Sequence, residues 1–268
     1  INHNVTMYAS GHKSAHKTPD VTVKSIETDT DAMEDGVFVY TENSAKVKTG
    51  DAAGGLKIKG KISSGNPVYD ITTKTLTKNV GGVYAKNGSE VDISQATGNK
   101  FGHGSGEYNV NITGARAKDA AGNNTDVYAG FGLFADNATI KANLNTVKAT
   151  NTAVGAAATG TNGKVILRDG GVDYEGSGYA LYSDGSGQIE FQGGTLTLGG
   201  NATGYIRDMA NPNTVQFDNK TNIDVKSDGV ILMDLRGITS LNSSNLDNQF
   251  RGAGGFLSGA NITTKSNT

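Results

Sequence analysis

The sequence predicts an all-β fold, a right-handed parallel β-helix in which each coil contributes three short strands. The first observation is a short apolar strand that opens on Gly and recurs at intervals of 23, 23, 26 and 25 residues. Its copies are Gly132–Ala135, Gly155–Ala158, Gly178–Leu181, Gly204–Ile206 and Gly229–Leu232. Such a period is typical of a solenoid, because one coil cannot bury its apolar face alone and must stack on its neighbours.

The second observation is that two further strands recur in step with the first. One set comprises Thr139–Ala142, Lys164–Leu167, Gln188–Phe191 and Thr214–Phe217. The other set follows it and comprises Val147–Ala149, Val172–Tyr174, Thr195–Leu198 and Ile223–Val225. Apolar and polar residues alternate within these strands, so one face should point inward and equivalent residues should stack. The predicted ladders are Ile140, Val165, Ile189 and Val215, and Val147, Val172, Leu196 and Ile223.

The third observation is a composition that suits many tight turns. The chain has 38 Gly and only 3 Pro among its 268 residues, so the turns keep their backbone donors. No helical periodicity persists, and we expect almost no helix. The repeat runs through most of the chain, which predicts a single domain, 1–268, of roughly nine coils and about 40 Å in length.

The chain begins with an irregular first coil over residues 1–35. Two alternating triplets, Val5–Met7 and Val21–Val23, predict strands with a polar loop at 10–19 between them. The acidic stretch 27–35 predicts a second exposed loop. The coils become regular from Gly36, and the strands predicted up to residue 93 are Val37–Tyr40, Ala45–Val47, Leu56–Lys59, Gly82–Ala85 and Val91–Ile93.

A loop-bearing coil is predicted at 97–126. It holds two insertions, 97–107 and 114–126, with the strand Tyr108–Ile112 between them. Insertions in solenoids emerge at turns, usually on one side. The most regular coils follow at 127–262.

Composition and charge exclude several functional classes. A net charge of −2 gives no basic field to hold nucleic acid. There is no apolar stretch of about 20 residues, the length that a membrane-spanning helix needs. The absence of Cys excludes disulfides, thiol nucleophiles and thiolate metal sites.

No residue pattern indicates a catalytic site, a metal site or a cofactor. His103 and Ser105 lie two apart in a Gly-rich loop, with no evident acid to orient the imidazole. The outward acids Asp173, Glu190 and Asp224 form no obvious cluster of the kind that polysaccharide cleavage needs. The acids of Asp29–Asp35 fail the spacing of an EF-hand, although a weak Ca²⁺ site there stays an alternative. We therefore expect a protein that is not an enzyme.

Residues 178–201 carry a resemblance to a known family. This segment reads as an aliphatic strand, a Gly-rich turn, a second strand and the third strand Gly193–Leu196, with the sequence Gly-Gly-Thr-Leu. It resembles the passenger domain of a monomeric type V autotransporter, and the resemblance extends over about 36–262. It implies exposure at the bacterial cell surface and a covalent C-terminal outer-membrane β-barrel in the full-length protein.

The resemblance implies an adhesin segment that binds a protein or glycan on host cells or on other bacteria. Loops on a rigid scaffold are common recognition sites, which favours the loops at 10–19, 97–107 and 114–126. The candidate binding residues are Phe101, His103, Tyr108, Arg116 and Tyr128. The alternatives are a polysaccharide-degrading β-helix enzyme and a passive spacer or stalk, with lateral self-association of the rods also open.

Overall fold

A computed structural model describes residues 5–11, 20–23, 25–33, 36–49, 55–62, 69–70, 75–76, 80–93, 108–143, 146–208, 211, 214–236 and 261–264. Across these ranges the protein is all-β and contains no helix. The strands form three large parallel sheets, of eight, seven and eight strands, and two short antiparallel hairpins. The predicted all-β class is therefore confirmed for the described residues.

The strands are short throughout. Those before residue 130 are β1 (Met7–Ser10), β2 (Asp20–Val23), β3 (Ser25–Met33), β4 (Gly36–Glu42), β5 (Lys46–Thr49), β6 (Gly55–Ile62), β7 (Tyr69–Asp70), β8 (Thr75–Leu76), β9 (Val80–Lys86), β10 (Glu90–Asp92), β11 (Val110–Thr113), β12 (Ala115–Lys118) and β13 (Asn124–Ala129). Those after it are β14 (Phe131–Asp136), β15 (Thr139–Asn143), β16 (Thr146–Thr150), β17 (Val154–Thr159), β18 (Lys164–Arg168), β19 (Gly171–Gly176), β20 (Tyr179–Ser183), β21 (Gln188–Gln192), β22 (Thr195–Gly200), β23 (Thr203–Asp208), β24 (Val215–Phe217), β25 (Asn222–Val225), β26 (Ile231–Arg236) and β27 (Asn261–Thr264).

The chain visits the three sheets in turn. Sheet A has the order β1-β4-β9-β14-β17-β20-β23-β26, sheet B the order β2-β5-β10-β15-β18-β21-β24, and sheet C the order β3-β6-β11-β16-β19-β22-β25-β27. From β1 to β25, each sheet A strand is followed by a sheet B strand and then a sheet C strand. The hairpins β7–β8 and β12–β13 both lie between a sheet C strand and the next sheet A strand.

The register of sheets B and C confirms both predicted ladders. In sheet B, Ile140 pairs with Val165, Val165 with Ile189, and Ile189 with Val215. In sheet C the paired residues are Val147, Val172, Leu196 and Ile223. All eight of these side chains are buried. Each buried aliphatic side chain contributes about 1.5 to 3 kcal/mol before chain entropy is subtracted.

Sheet A differs from the other two sheets in its burial. Strands β15 and β18 alternate between buried and partly exposed residues, as strands with one solvent-facing side do. In β14 and β17, by contrast, nearly every residue is buried. Because successive side chains point to opposite faces, both faces of sheet A are covered at these strands. This explains why its strands read as continuous apolar runs rather than as alternating ones.

The register of sheet A corrects one predicted equivalence. The spacing matched Gly155 with Gly178, but Val154 pairs with Tyr179 and Ala156 with Leu181, so Gly155 lies beside Ala180. Gly178 instead precedes β20, where its amide donates to the Tyr174 hydroxyl at 2.8 Å. A Cβ atom there would overlap neighbouring backbone carbonyl oxygens. Gly178 therefore belongs to a crowded corner, and Gly229 likewise precedes its strand, β26.

The prediction of a loop over the acidic stretch 27–35 is wrong for the described residues, although Asp29 is exposed as expected. Residues 25–33 form β3, which pairs with β6 so that Glu27 lies opposite Lys57 and Asp29 opposite Lys59. The Lys59 Nζ lies 3.1 Å from an Asp29 carboxylate oxygen. Lysines of β6 thus lie opposite two of the acids of β3, and opposite charges on facing positions favour the pairing of two strands. Glu34 and Asp35 lie outside the described residues.

Corners between sheets A and B use left-handed backbone conformations. Asn43, Asn87 and Asn137 have φ values of 55, 51 and 47° at equivalent corners of successive strands. Asn is among the few residues other than Gly that adopt this region readily. The amide of Asn87 donates to the Asp136 carbonyl at 3.1 Å, and the amide of Gly88 donates to the Asn137 carbonyl at 2.7 Å. The strand ladders are thus continued by hydrogen bonds through the turns.

Candidate functional site

The predicted insertion at 114–126 is a β-hairpin. Strands β12 and β13 pair antiparallel, apart from all three parallel sheets, with Arg116 directly opposite Tyr128. The Arg116 Nε donates to the Tyr128 hydroxyl at 3.2 Å, and its guanidinium carbon lies 5.5 Å from the ring centroid. The structure therefore brings two of the predicted binding residues together as a cation–π pair, with Arg116 exposed and Tyr128 half-buried.

The tip of this hairpin is held by one carboxylate. Asp119 Oδ1 accepts the amides of Asn123 at 2.8 Å and Ala121 at 2.9 Å. These bonds, led by that of Asn123, lower the pKa of the Asp119 carboxyl. Gly122 adopts a φ of 86° and completes the turn. Residues 119–124 are all exposed, so the tip presents a defined conformation to solvent.

The base of the hairpin is anchored by two glycines. The amide of Gly114 donates to the Thr150 carbonyl at 2.8 Å, and a Cβ atom at Gly114 would overlap the carbonyl oxygens of Asn151 and Ala129. Gly130 has a φ of 111°, which favours glycine. Ala115 packs against the hydrophobic core. The hairpin is thus joined to the parallel sheets through a closely packed base.

Tyr108 belongs to a separate cluster on the polar face of sheet C. Its hydroxyl donates to Asp173 Oδ2 at 2.7 Å, and the Lys148 Nζ lies 5.3 Å from its ring centroid. Lys148 and Asp173 also form an ion pair at 3.4 Å. Burial, the hydrogen bond to Asp173 and the charge of Asp173 together raise the pKa of Tyr108 to about 12. The phenol therefore stays a hydrogen-bond donor at neutral pH.

Sequence reasoning missed Lys148 and Asp173 as partners of Tyr108. The signal was present in the predicted ladder, because these residues directly follow Val147 and Val172 and so face away from the core together. Phe101 and His103, the remaining candidates, lie outside the described residues, as do the loop at 97–107 and most of the loop at 10–19.

The outward acids considered for catalysis are each engaged by a lysine. Asp173 pairs with Lys148, Glu190 with Lys164 at 3.5 Å, and Asp224 with Lys226. Asp173 and Asp224 share one column of sheet C but are separated by the strand that carries Thr197. Within the described residues, no group of three or more His, Asp or Glu side chains could hold a metal ion.

Comparisons with known proteins give no neighbour for this chain. No protein-family model, no curated protein and no solved structure matches it. In the ranges that the structure describes, no helix could span a membrane.

Proposed function

We propose that this chain is a surface-exposed adhesin segment built on a right-handed parallel β-helix. The repeated passage from sheet A to sheet B to sheet C supports a solenoid, and parallel crossover connections are almost always right-handed. The eight strands of sheet A would correspond to eight coils in the described residues, against the roughly nine predicted for the whole chain. The sequence resemblance to autotransporter passengers supports a location outside the outer membrane, with a C-terminal β-barrel joined to the solenoid in the full-length protein.

The hairpin β12–β13 is the feature that best supports the proposed adhesive function. It departs from the parallel sheets, its tip is exposed, and its backbone is fixed by the Asp119 hydrogen bonds and the glycine base. A preorganised loop loses little entropy when it binds a partner. Arg and Tyr are also the side chains most enriched at energetically important positions of interfaces. The proposed partner is a protein or glycan on a host cell or a neighbouring bacterium.

Point variants of the hairpin test this proposal. We expect Arg116→Ala and Tyr128→Ala each to weaken binding of the fragment to host or bacterial cells about tenfold or more, the loss typical of truncating an interface anchor. The matched control is Arg168→Ala, which removes an exposed Arg that contacts Gln192 on sheet B, away from the hairpin. Fluorescently labelled fragment and flow cytometry give the binding curves, and circular dichroism checks that the variants fold.

The outcomes separate the alternatives. If the native fragment binds cells and all three variants bind them equally well, the hairpin has no role in binding. A native fragment that binds no cells would favour a spacer, and concentration-dependent association of the fragment with itself would favour a self-associating stalk. Release of sugars from polysaccharides would indicate the enzyme.

A further inference from the structure

Three tyrosines form a continuous stack across neighbouring strands of sheet A. Tyr8 on β1 pairs in register with Tyr40 on β4, which pairs with Tyr84 on β9. The Tyr8 and Tyr40 ring centroids lie 5.5 Å apart with planes 12° from parallel, and those of Tyr40 and Tyr84 lie 5.3 Å apart at 23°. The parallel register of the strands therefore holds the rings face to face.

One carboxylate aligns the first two phenols. The Tyr8 hydroxyl donates to Glu42 Oε1 at 2.6 Å, and the Tyr40 hydroxyl donates to Glu42 Oε2 at 2.8 Å. Because both hydroxyls bind the same group, the two rings point in the same direction. The carbons ortho to the hydroxyls, which carry unpaired spin in a phenoxyl radical, consequently lie side by side.

The stack differs in exposure along its length. Tyr8 is 41% exposed and Tyr40 is half-buried, whereas Tyr84 is only 1% exposed. The Tyr84 hydroxyl turns to Asp136 Oδ2 at 3.3 Å instead of Glu42. An oxidant in solution can therefore reach Tyr8, and the exposed Tyr8 ring is less restrained against a tilt towards Tyr40 than is the close-packed Tyr84 ring.

We propose that Tyr8 and Tyr40 form an oxidative cross-linking site, at which a one-electron oxidant joins the two rings as dityrosine. Each phenol loses one electron to the oxidant and one proton, for which the Glu42 carboxylate is the nearest acceptor before release to water. The two radicals then form a carbon–carbon bond between ortho carbons, and the hydrogens on those carbons move to the oxygens and restore both phenols. The net change is the loss of two protons and two electrons.

The hydrogen bond that Tyr8 makes to Glu42 raises the pKa of the Tyr8 hydroxyl. A phenol is protonated at neutral pH even at its ordinary pKa of about 10, so oxidation of Tyr8 must expel a proton. A carboxylate already bonded to that hydroxyl removes the need for a separate base to approach.

Cross-linking would give a chain without cysteine a covalent bond between two strands of one sheet. It would join β1 to β4, which the sequence separates by the two strands β2 and β3. A bond that closes a loop of this size restricts the unfolded chain in the way that a disulfide does.

The experiment is photo-oxidation of the purified protein with a ruthenium tris-bipyridyl complex and persulfate, followed by tryptic digestion and mass spectrometry. We expect dityrosine fluorescence and one cross-linked peptide pair that contains Tyr8 and Tyr40, from protein that remains monomeric. Tyr8→Phe and Tyr40→Phe, which keep the stacked rings, should each abolish that pair. Tyr84→Phe should leave it unchanged, and Tyr179–Tyr182, edge to face at 71°, should give no pair.

Glu42→Gln tests the carboxylate, with Glu90→Gln on sheet B as the matched control. We expect the first change to lower the yield of the cross-linked pair and the second to leave it unchanged. The proposal is overturned if the Tyr8–Tyr40 pair is absent, if cross-links form only between separate molecules, or if Tyr40–Tyr84 is the principal product. An equal yield from both Gln variants would overturn the part assigned to Glu42.

Discussion

At the scale of single residues, glycine is required where the backbone of a neighbouring turn lies too close to leave room for a side chain. Gly193 and Gly194 precede β22 with φ values of 77 and 80°. A Cβ atom on Gly194 would overlap the backbone of Gly170. The Gly-Gly that introduces this strand is therefore needed both for its left-handed conformation and for the close contact with the turn before β19.

Gly122 and Gly194 have similar φ values, so substituting each of them distinguishes the cost of the left-handed conformation from the cost of the backbone overlap. Gly122, at the hairpin tip, has a φ of 86° and open space around its Cα atom. We expect Gly122→Ala to cost about 1 kcal/mol, from the left-handed conformation alone. Gly194→Ala should cost more than about 2 kcal/mol, because it adds the overlap with Gly170 to the same backbone cost. Urea unfolding followed by circular dichroism measures both, and equal costs would show that the overlap is relieved by small movements.

Residue contacts across strands were only partly predictable from the sequence. Tyr108, Arg116 and Tyr128 could be selected because aromatic and Arg side chains in insertions are recognisable one by one. Identifying the partners of Tyr108 required the register of sheet C. The predicted pairing of Val147 with Val172 already implied that register. The pairing of Arg116 with Tyr128 could not be predicted, because nothing in the sequence of an insertion rich in Ala, Asn and Gly indicates a hairpin.

At the scale of elements, the turn after β20 is organised by a partly buried carboxylate. Asp184 Oδ1 accepts the amides of Ser186 at 3.0 Å and Gly187 at 3.1 Å, and Oδ2 accepts the amide of Gly160 at 2.9 Å. Burial alone would raise the pKa of the Asp184 carboxyl, but these hydrogen bonds outweigh it and lower the pKa. The carboxylate links its own turn to the equivalent turn of the preceding strand.

This lowered pKa predicts a stabilisation that acid removes. Because the pKa of Asp184 is lower in the folded state than the ordinary value of about 3.9, the charged form stabilises the protein above that value. The stabilisation disappears as the pH falls through the folded-state pKa. We expect Asp184→Asn to cost about 1 kcal/mol at neutral pH, a loss comparable to that of a capping residue, and much less in strong acid. Urea unfolding across the pH range tests this, and a cost that does not change with pH would contradict it.

Whole strands were predictable where the pattern that marks them lies entirely within the strand. Sheets B and C follow from alternation within each strand, because a period of two survives any change in the turns. In sheet A the Gly that marks the repeat lies inside some strands and before others, so spacing alone misplaced Gly178 by two positions. Strand β3 was missed because its partner β6, whose lysines lie opposite Glu27 and Asp29, belongs to a different part of the chain.

At the scale of the molecule, stability should be shared among neighbouring strands and should be lowest at the hairpin tip, whose hydrogen bonds are all local. Strands β14 to β22 each pair on both sides within their sheets. At the hairpin tip, the amides of Ala121 and Asn123 donate instead to the exposed carboxylate of Asp119, and those of Asp119 and Gly122 donate to backbone carbonyls of the tip itself. Opening of a buried strand requires loss of two ladders, whereas opening of the tip requires none.

Hydrogen exchange monitored by mass spectrometry tests this distribution. We expect peptides that cover β17 to β19 to exchange slowly and together, and peptides that cover residues 119–123 to exchange fastest among the described ranges. Slow exchange at the tip, equal to that of β17, would indicate that the hairpin is covered by another part of the protein or by a second copy.

The corner between sheets C and A has a consequence for engineering. Thr113 pairs with Thr150 and Phe131 with Val154, so the long route through the hairpin and the short route through Asn151 start and finish at matching positions. The neighbouring strands therefore keep the same register whether the chain passes through the hairpin or through the short turn. Foreign peptides or small epitopes could be grafted at this corner, with Gly114 and Gly130 kept as the two junctions, and several such grafts could be arrayed along one side at the spacing of stacked strands, about 4.8 Å or its multiples.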